Sequence, residues 1–320
     1  MKYNIIDLSR CEMKIFVSGL FNLESNIYVK SFPIDYSPIE YSFNQTSVDI
    51  SGVGYNVVKA LHCLNDEVIP ITILGDDSIG RMIINELKNI GINTNYILKE
   101  LNSTCTSIVL YDSTGRRKIY CDLKDIQEKV YQIDKVVDVI NKSDGVVVCN
   151  INYNREIIKK AKELNKLVFT DVHVLSDIND EYNKKFMESA NVLFLSDEGV
   201  KENKIEFLKR LHNKYKNDII VMGCGEEGAL LLDNTGIYSI SSLLTRNVVN
   251  TCGAGDALFS CFVHYYLKTK DPLKSLKYAT IFASYKIGES GGAKGFLREK
   301  EIEKMFNSLE LKIKVEKWGE

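Results

Sequence analysis

The run Asn250-Thr251-Cys252-Gly253-Ala254-Gly255-Asp256 has the residue types and spacing best suited to chemistry. Residues 257–267 follow it as an apolar stretch at helical spacing, so a turn of small residues opens a helix and sets Asp256 in its first turn. Small residues let a ligand approach the backbone, and the free amides at a helix N-terminus attract an anion. A carboxylate at that point can take a proton from an attacking hydroxyl. An anion hole beside a base is what phosphoryl transfer requires. The same acid would also complement the helix dipole without any chemistry, and residue type alone leaves both readings open.

Two other glycine patterns are formal matches only. Gly223-Cys224-Gly225-Glu226-Glu227-Gly228 fits G-x-G-x-x-G, yet a dinucleotide fingerprint opens a helix, whereas residues 229–241 read as strand, Asn-Thr-Gly turn and strand. This argues against an NAD-dependent dehydrogenase. Gly291-Gly292-Ala293-Lys294-Gly295 lacks P-loop spacing and reads as a loop between helices. Near the N-terminus, Ser51-Gly52-Val53-Gly54-Tyr55-Asn56 precedes a helical stretch. There Asn56 can offer an amide to a hydroxylated ligand, or simply mark a helix start.

These residues need a frame. Strand-like segments (14–20, 68–74, 145–149, 167–171, 192–195, 219–222) alternate with helical ones (54–64, 78–89, 153–164, 204–215). That alternation is the mark of βαβ units and a mostly parallel sheet covered by helices. Two β-rich stretches interrupt it. Residues 26–50 are rich in Tyr, Phe, Ile and Val and carry Pro33 and Pro38. Residues 104–122 read as a hairpin around Asp112-Ser113-Thr114-Gly115. Paired with each other, they would make a small β-sheet lid over the carboxyl ends of the core strands, where open α/β sheets place ligands. The expected boundaries are about 24–50 and 98–122 for the lid and 13–23, 51–97 and 123–320 for the core. The charge-rich tail 309–320 reads as a solvated end.

Length and composition agree with one α/β domain of this kind. The 320 residues include 41 Lys plus Arg and 43 Asp plus Glu, a formal charge of −2, which gives no support for a nucleic-acid surface. No segment approaches 18 consecutive apolar residues, and Asp7, Arg10, Glu12 and Lys14 break up the N-terminal apolar stretches, so neither a membrane span nor a signal-peptide core is expected. None of the eight cysteines forms a CxxC pair. The expectation is a reduced, cytoplasmic protein.

In this order the motifs resemble those of the ribokinase-like (PfkB) carbohydrate kinases. Residues 250–256 are similar to that family's D-T-x-G-A-G-D signature; residues 51–61 with 74–80 resemble its N-terminal glycine signature and G-x-D-x-x-G; residues 18–24 resemble its opening substrate-binding strand. The resemblance covers roughly residues 14–306. It implies a three-layer α/β/α core with a small β-sheet lid, ATP as donor and Mg²⁺, with a monovalent cation as a further candidate. Asp256 matches the catalytic base, and Gly253, Ala254 and Gly255 match the anion hole. Asn22, Glu24, Gly52, Gly54 and Asn56 match substrate-binding positions. Gly223, Gly225 and Gly228 fall on a nucleotide-binding loop, to which Ser196 is added, and lid residues Thr106, Ser107 and Arg116 would close over the substrate. The acceptor would be a sugar or nucleoside, and two copies would pair through their lids. Departures exist: Asn250 stands for Asp, Ser51 for Gly, Glu24 for Asp, Gly223 for Thr, and Ser196-Asp197-Glu198-Gly199 replaces Asn-x-x-Glu. The metal-proximal acid is therefore open among Glu198, Asp197 and Asp171. A catalytically weak binding or regulatory protein on the same scaffold is the competing class.

Overall fold

The structure, a computed structural model, describes residues 12–114, 116–309 and 311–317. Cys11, Asp7, Arg10 and Gly115 of the hairpin turn lie outside them.

Seven parallel strands form the centre of the large sheet. They are β1 (Lys14–Ser18), β4 (Glu67–Gly75), β5 (Ile97–Leu101), β8 (Gly145–Val148), β9 (Val168–Val174), β10 (Val192–Ser196) and β11 (Ile219–Gly223), in the spatial order β11-β10-β9-β8-β1-β4-β5. Beyond β11 the sheet continues as an antiparallel meander of β12 (Ala229–Asp233), β13 (Gly236–Ile240) and β14 (Ile313–Lys317). The tail is therefore not simply a solvated end: residues 313–317 alternate in polarity and pair with β13.

Strands buried on both faces are apolar throughout, and their side chains alternate between two cores. Ile15 and Val17 of β1 and Ile219 and Val221 of β11 enter one cluster; Phe16, Ile220 and Met222 enter the other. The first is closed by α1 (Val53–Cys63), α2 (Ser78–Asn89), α7 (Ala254–Thr269), α8 (Pro272–Lys286) and α9 (Glu299–Ser308). The second is closed by α3 (Val137–Lys142), α4 (Asn154–Glu163), α5 (Lys184–Ser189) and α6 (Lys204–Tyr215). This is the three-layer α/β/α arrangement.

A second sheet has the order β3-β2-β6-β7, from β2 (Asn22–Tyr28), β3 (Thr46–Ser51), β6 (Thr106–Tyr111) and β7 (Arg117–Asp122). β2 pairs antiparallel with β3 and parallel with β6, so the two β-rich insertions join as one lid. Residues 98–101 belong to β5 in the large sheet, and the second lid segment begins its strands at Thr106. Between β2 and β3, residues 29–45 are irregular, with Tyr36, Tyr41 and Phe43 exposed; Pro33 and Pro38 interrupt any strand there.

Candidate active site

The 250–256 turn is shaped by its small residues. Gly253 has φ of 75° and immediately precedes α7. A Cβ at Gly253 would lie 2.5 Å from the Gly292 carbonyl oxygen, so a side chain is excluded both by the left-handed backbone and by the loop packed against it. Asn250 steadies the entry, its Oδ1 accepting from the Cys252 amide at 2.7 Å. Ala254 and Gly255 begin the helix, and Asp256 lies in its first turn.

Asp256 meets Asn56 of α1 across the molecule. Asn56 Nδ2 donates to Asp256 Oδ2 at 2.7 Å, joining residues 200 positions apart. Asn56 is buried and its Oδ1 accepts from Ser51 Oγ at 3.4 Å; Gly292 packs on both side chains. Gly52 precedes α1 and Gly54 lies in its first turn against Gly19. Burial pushes the Asp256 carboxyl above the ordinary aspartate range; Asn56, His173 and Lys286 oppose this, while Asp171 adds to it. A carboxyl held above its usual range is better matched to taking up a proton near neutral pH.

The lid's inner face is polar. Cross-strand partners share a face, so the Glu24 pairings with Asp49 and Ser107, and that of Ser107 with Cys121, place these side chains together. Glu24 is buried, accepting from Asn26 Nδ2 at 3.3 Å and from Ser107 Oγ at 3.5 Å; Asn22 Nδ2 donates to Ser107 Oγ at 3.0 Å. Cys252 Sγ lies 3.9 Å from Glu24 Oε1, which ties this array to the 250–256 turn. Burial, with Glu24 beside it, pushes the Cys252 thiol up to about 12, so it stays neutral. Asp49 pairs with Lys294 of the 291–295 loop. The opposite lid face, with Leu23, Val48 and Ile50, lines a cavity of about 880 Å³ beside α1 and α2, which Asp49 and Lys294 also border and whose lining does not include Asp256.

Two lid residues behave differently from the sequence reading. Arg116 turns back to Asp112, with its Nη2 3.0 Å from Oδ2, and its guanidinium lies over Phe32. Its neighbour Arg117 crosses to the core instead. There Nη1 donates to Thr251 Oγ1 at 3.0 Å and Nη2 to Glu198 Oε1 at 3.2 Å. Thr106, beside Ser107 on β6, pairs with Leu23.

Of the remaining predicted positions, Asp171 lies in the middle of β9 and the others stand at or just beyond the carboxyl ends of β10 and β11. Ser196 and Gly223 are the last residues of β10 and β11 and are in register with each other. Gly225 and Gly228 follow in the turn to β12; Gly228, at φ 105°, has no room for a side chain against the Ile240 carbonyl. Asp171 of β9 is buried and accepts from the His173 amide at 2.8 Å. Asp197 is engaged by Lys204 at 2.8 Å, whereas Glu198 faces Arg117. Among the described residues, no three His, Cys, Asp or Glu side chains cluster as a protein cage for a metal. Separate carboxylates are hard oxygen donors and fit an ion held mainly by phosphate and water.

Sequence reasoning missed Arg117 and Lys286, and read Gly292 and Lys294 only as part of a loop between helices. Lys286, at the end of α8, is wholly buried, and its Nζ donates to the Cys252 carbonyl. Burial draws its ammonium below the ordinary lysine value, opposed by Cys252, Asp256 and Glu24. The same helix carries Lys274 and Lys277, so residue type alone did not mark Lys286 as buried.

Known proteins share this fold. A solved microbiome-derived acarbose kinase superposes with a TM-score of 0.84 over 92% of this chain and 99% of its own, at 21% identity. Arabidopsis thaliana ribokinase complexed with ribose and ATP gives 0.75 over 92% and 99%, at 17% identity. In sequence, the chain is 26% identical to Dictyostelium discoideum ribokinase (91% of this chain, 99% of the relative) and 24% identical to Salmonella typhi deoxyribokinase (87% and 94%). The family model described as pfkB family carbohydrate kinase matches residues 14–299, and the chain belongs to that family.

Proposed function

We propose that the protein transfers the γ-phosphate of ATP to a hydroxyl of a sugar or nucleoside, with Asp256 as the base. The Asp256–Asn56 pair carries this reading: a carboxylate with a raised pKa, beside the Gly253–Gly255 amides and below a lid face of hydrogen-bonding side chains. Asn22, Glu24, Asn26 and Ser107 suit a polyhydroxylated acceptor, because each sugar hydroxyl both donates and accepts. Asp256 accepts the proton of the attacking hydroxyl, while the amides of Gly253, Ala254 and Gly255 face the charge on the transferred phosphoryl group. Arg117 stands between Thr251 and Glu198, where triphosphate charge would draw it. Ser196, Gly223, Gly225 and Gly228 border the nucleotide side. Glu198 or Asp171 would help hold Mg²⁺, which when bound neutralises phosphate charge. Lid closure excludes water and limits idle hydrolysis of ATP.

The test is a coupled ADP-release screen with ATP and Mg²⁺ across ribose, deoxyribose, fructose, other ketoses, adenosine, pseudouridine and fructose phosphates. At least one acceptor is expected to give substrate-dependent ADP. Binding without ADP release from any of them would favour a ligand-binding protein instead. Replacing Asp256 with Asn is expected to lower turnover by roughly 10²–10⁴-fold while leaving ATP binding intact. Undiminished turnover in that variant would remove Asp256 from the base role.

A further inference from the structure

Beyond its electrostatic effect on Asp256, Lys286 has no assigned role above, yet it is one of the molecule's fully buried charges. An ammonium removed from water is costly unless the site compensates it. Among the described residues, its hydrogen-bond partner is the backbone carbonyl of Cys252, not a carboxylate. That carbonyl immediately precedes Gly253, Ala254 and Gly255.

The surroundings explain the placement. Segments 249–256 and 285–295 lie against each other and are stitched through carbonyl oxygens. Ile287 O accepts from both the Val249 and Asn250 amides, at 2.8 and 3.0 Å. Arg246 Nε donates to Tyr285 O at 2.6 Å, and its guanidinium lies 4.0 Å from the centre of the Tyr285 ring. Backbone carbonyls between two loops, beside an anion hole, are oxygen ligands of the kind a monovalent cation would take. Here the place beside Cys252 O is filled by a tethered ammonium, and the residues do not fit an exchangeable ion there. Asn250 is neutral, so its side chain brings no anionic ligand to this junction.

We propose that Lys286 is the built-in cation of the anion hole, a positioning residue that fixes the Cys252 carbonyl and supplies positive charge under the Gly253–Gly255 turn. This rests on the kinase reading. It makes turnover independent of added monovalent cations, because the cation is covalently part of the chain.

Two measurements test it. Wild-type ADP release is compared in K⁺, NH₄⁺, Na⁺ and tetramethylammonium at matched ionic strength, where rates are expected to agree within about twofold. Strong activation by K⁺ or NH₄⁺ over tetramethylammonium would overturn the proposal. Thermal unfolding in the same salts gives a readout apart from activity: superimposable wild-type curves are expected, and a specific rise in K⁺ would reveal a bound ion and refute it. Lys286→Ala, which leaves room for an ion, is expected to lose roughly 100-fold in kcat. K⁺ or NH₄⁺ should restore part of that loss and raise its melting temperature, and tetramethylammonium should do neither. A folded Lys286→Ala variant with wild-type turnover in tetramethylammonium would also overturn the proposal. If that variant does not fold, the wild-type salt series still decides. Absence of ADP release from every acceptor refutes the kinase reading separately, and the unfolding series continues to test the cation.

Discussion

At the scale of residues, the centre of the molecule is a carboxylate in a place that resists its charge. Asp256 is pushed above the usual aspartate range chiefly by burial, and the Asn56 amide only partly reverses this. The sign has a consequence for stability. An acid with a raised folded-state pKa favours the fold when protonated, and that contribution is lost as pH rises from the unfolded aspartate value through the folded one. At neutral pH, Asp256→Asn removes the charge and keeps an oxygen that accepts from Asn56. The variant is expected to melt at a higher temperature than wild type at pH 7–8. The gap should close as pH falls toward the ordinary aspartate range, and calorimetry across pH checks both parts. A lower melting temperature at neutral pH would mean that the charged Asp256–Asn56 pair stabilises the fold. The acid and the small-residue turn were legible in the sequence because their types and spacing are local. Arg117 and Lys286 were not, because their roles depend on partners 134 and 34 positions away.

At the scale of elements, hydrophobic periodicity located the core well. The apolar runs of β1, β8, β10 and β11 are buried on both faces, as their composition requires. Pattern reading was weaker where polarity mixes. Residues 29–45 are β-rich in composition yet irregular in structure, while β14 is charge-rich yet paired. Helix α7 shows a second kind of non-local dependence. His264, buried in mid-helix, places Nδ1 2.8 Å from Asp66 Oδ2, between α1 and β4, and Nε2 3.4 Å from Glu299 Oε1 at the start of α9. Burial pulls the imidazole pKa down, but hydrogen bonds to the two carboxylates outweigh it and the net shift is upward. Glu299 is correspondingly held down at about 2 by His264 and Lys268. A raised histidine contributes stability that is fully present below its unfolded pKa and lost as pH rises through the folded one. His264→Leu, which leaves Asp66 buried without its cation, is expected to cost about 3–5 kcal/mol near pH 6. The cost should shrink at alkaline pH. Chemical denaturation at several pH values measures it, and a pH-independent cost would show that packing rather than charge dominates.

At the scale of the whole molecule, the cleft between lid and core can be probed through its cysteines. Cys105, Cys149, Cys224, Cys252 and Cys261 are buried, Cys63 is half-buried, and Cys121 is exposed on the lid face shared with Ser107 and Glu24. A thiol reagent should modify Cys121 of the native protein well before the buried cysteines. A cognate acceptor should slow that modification, with the site of labelling read by peptide mass. Equal labelling with and without an acceptor that supports ADP release would place the acceptor away from this face. None of the helices among the described residues is long and apolar enough to cross a membrane.

The parallel pairing of β2 with β6 also orders events in time. Antiparallel neighbours such as β2 and β3 can form as soon as both leave the ribosome, but the β2–β6 ladder must wait until α1, β4, α2 and β5 have been made. During synthesis the β2–β3 hairpin therefore emerges as a lone two-stranded ribbon, marginal by itself, until β6 begins at Thr106, about 55 residues after the end of β3 at Ser51. Asp256 emerges later still. A nascent chain thus builds the first strands of its lid before the turn and helix that carry Asp256.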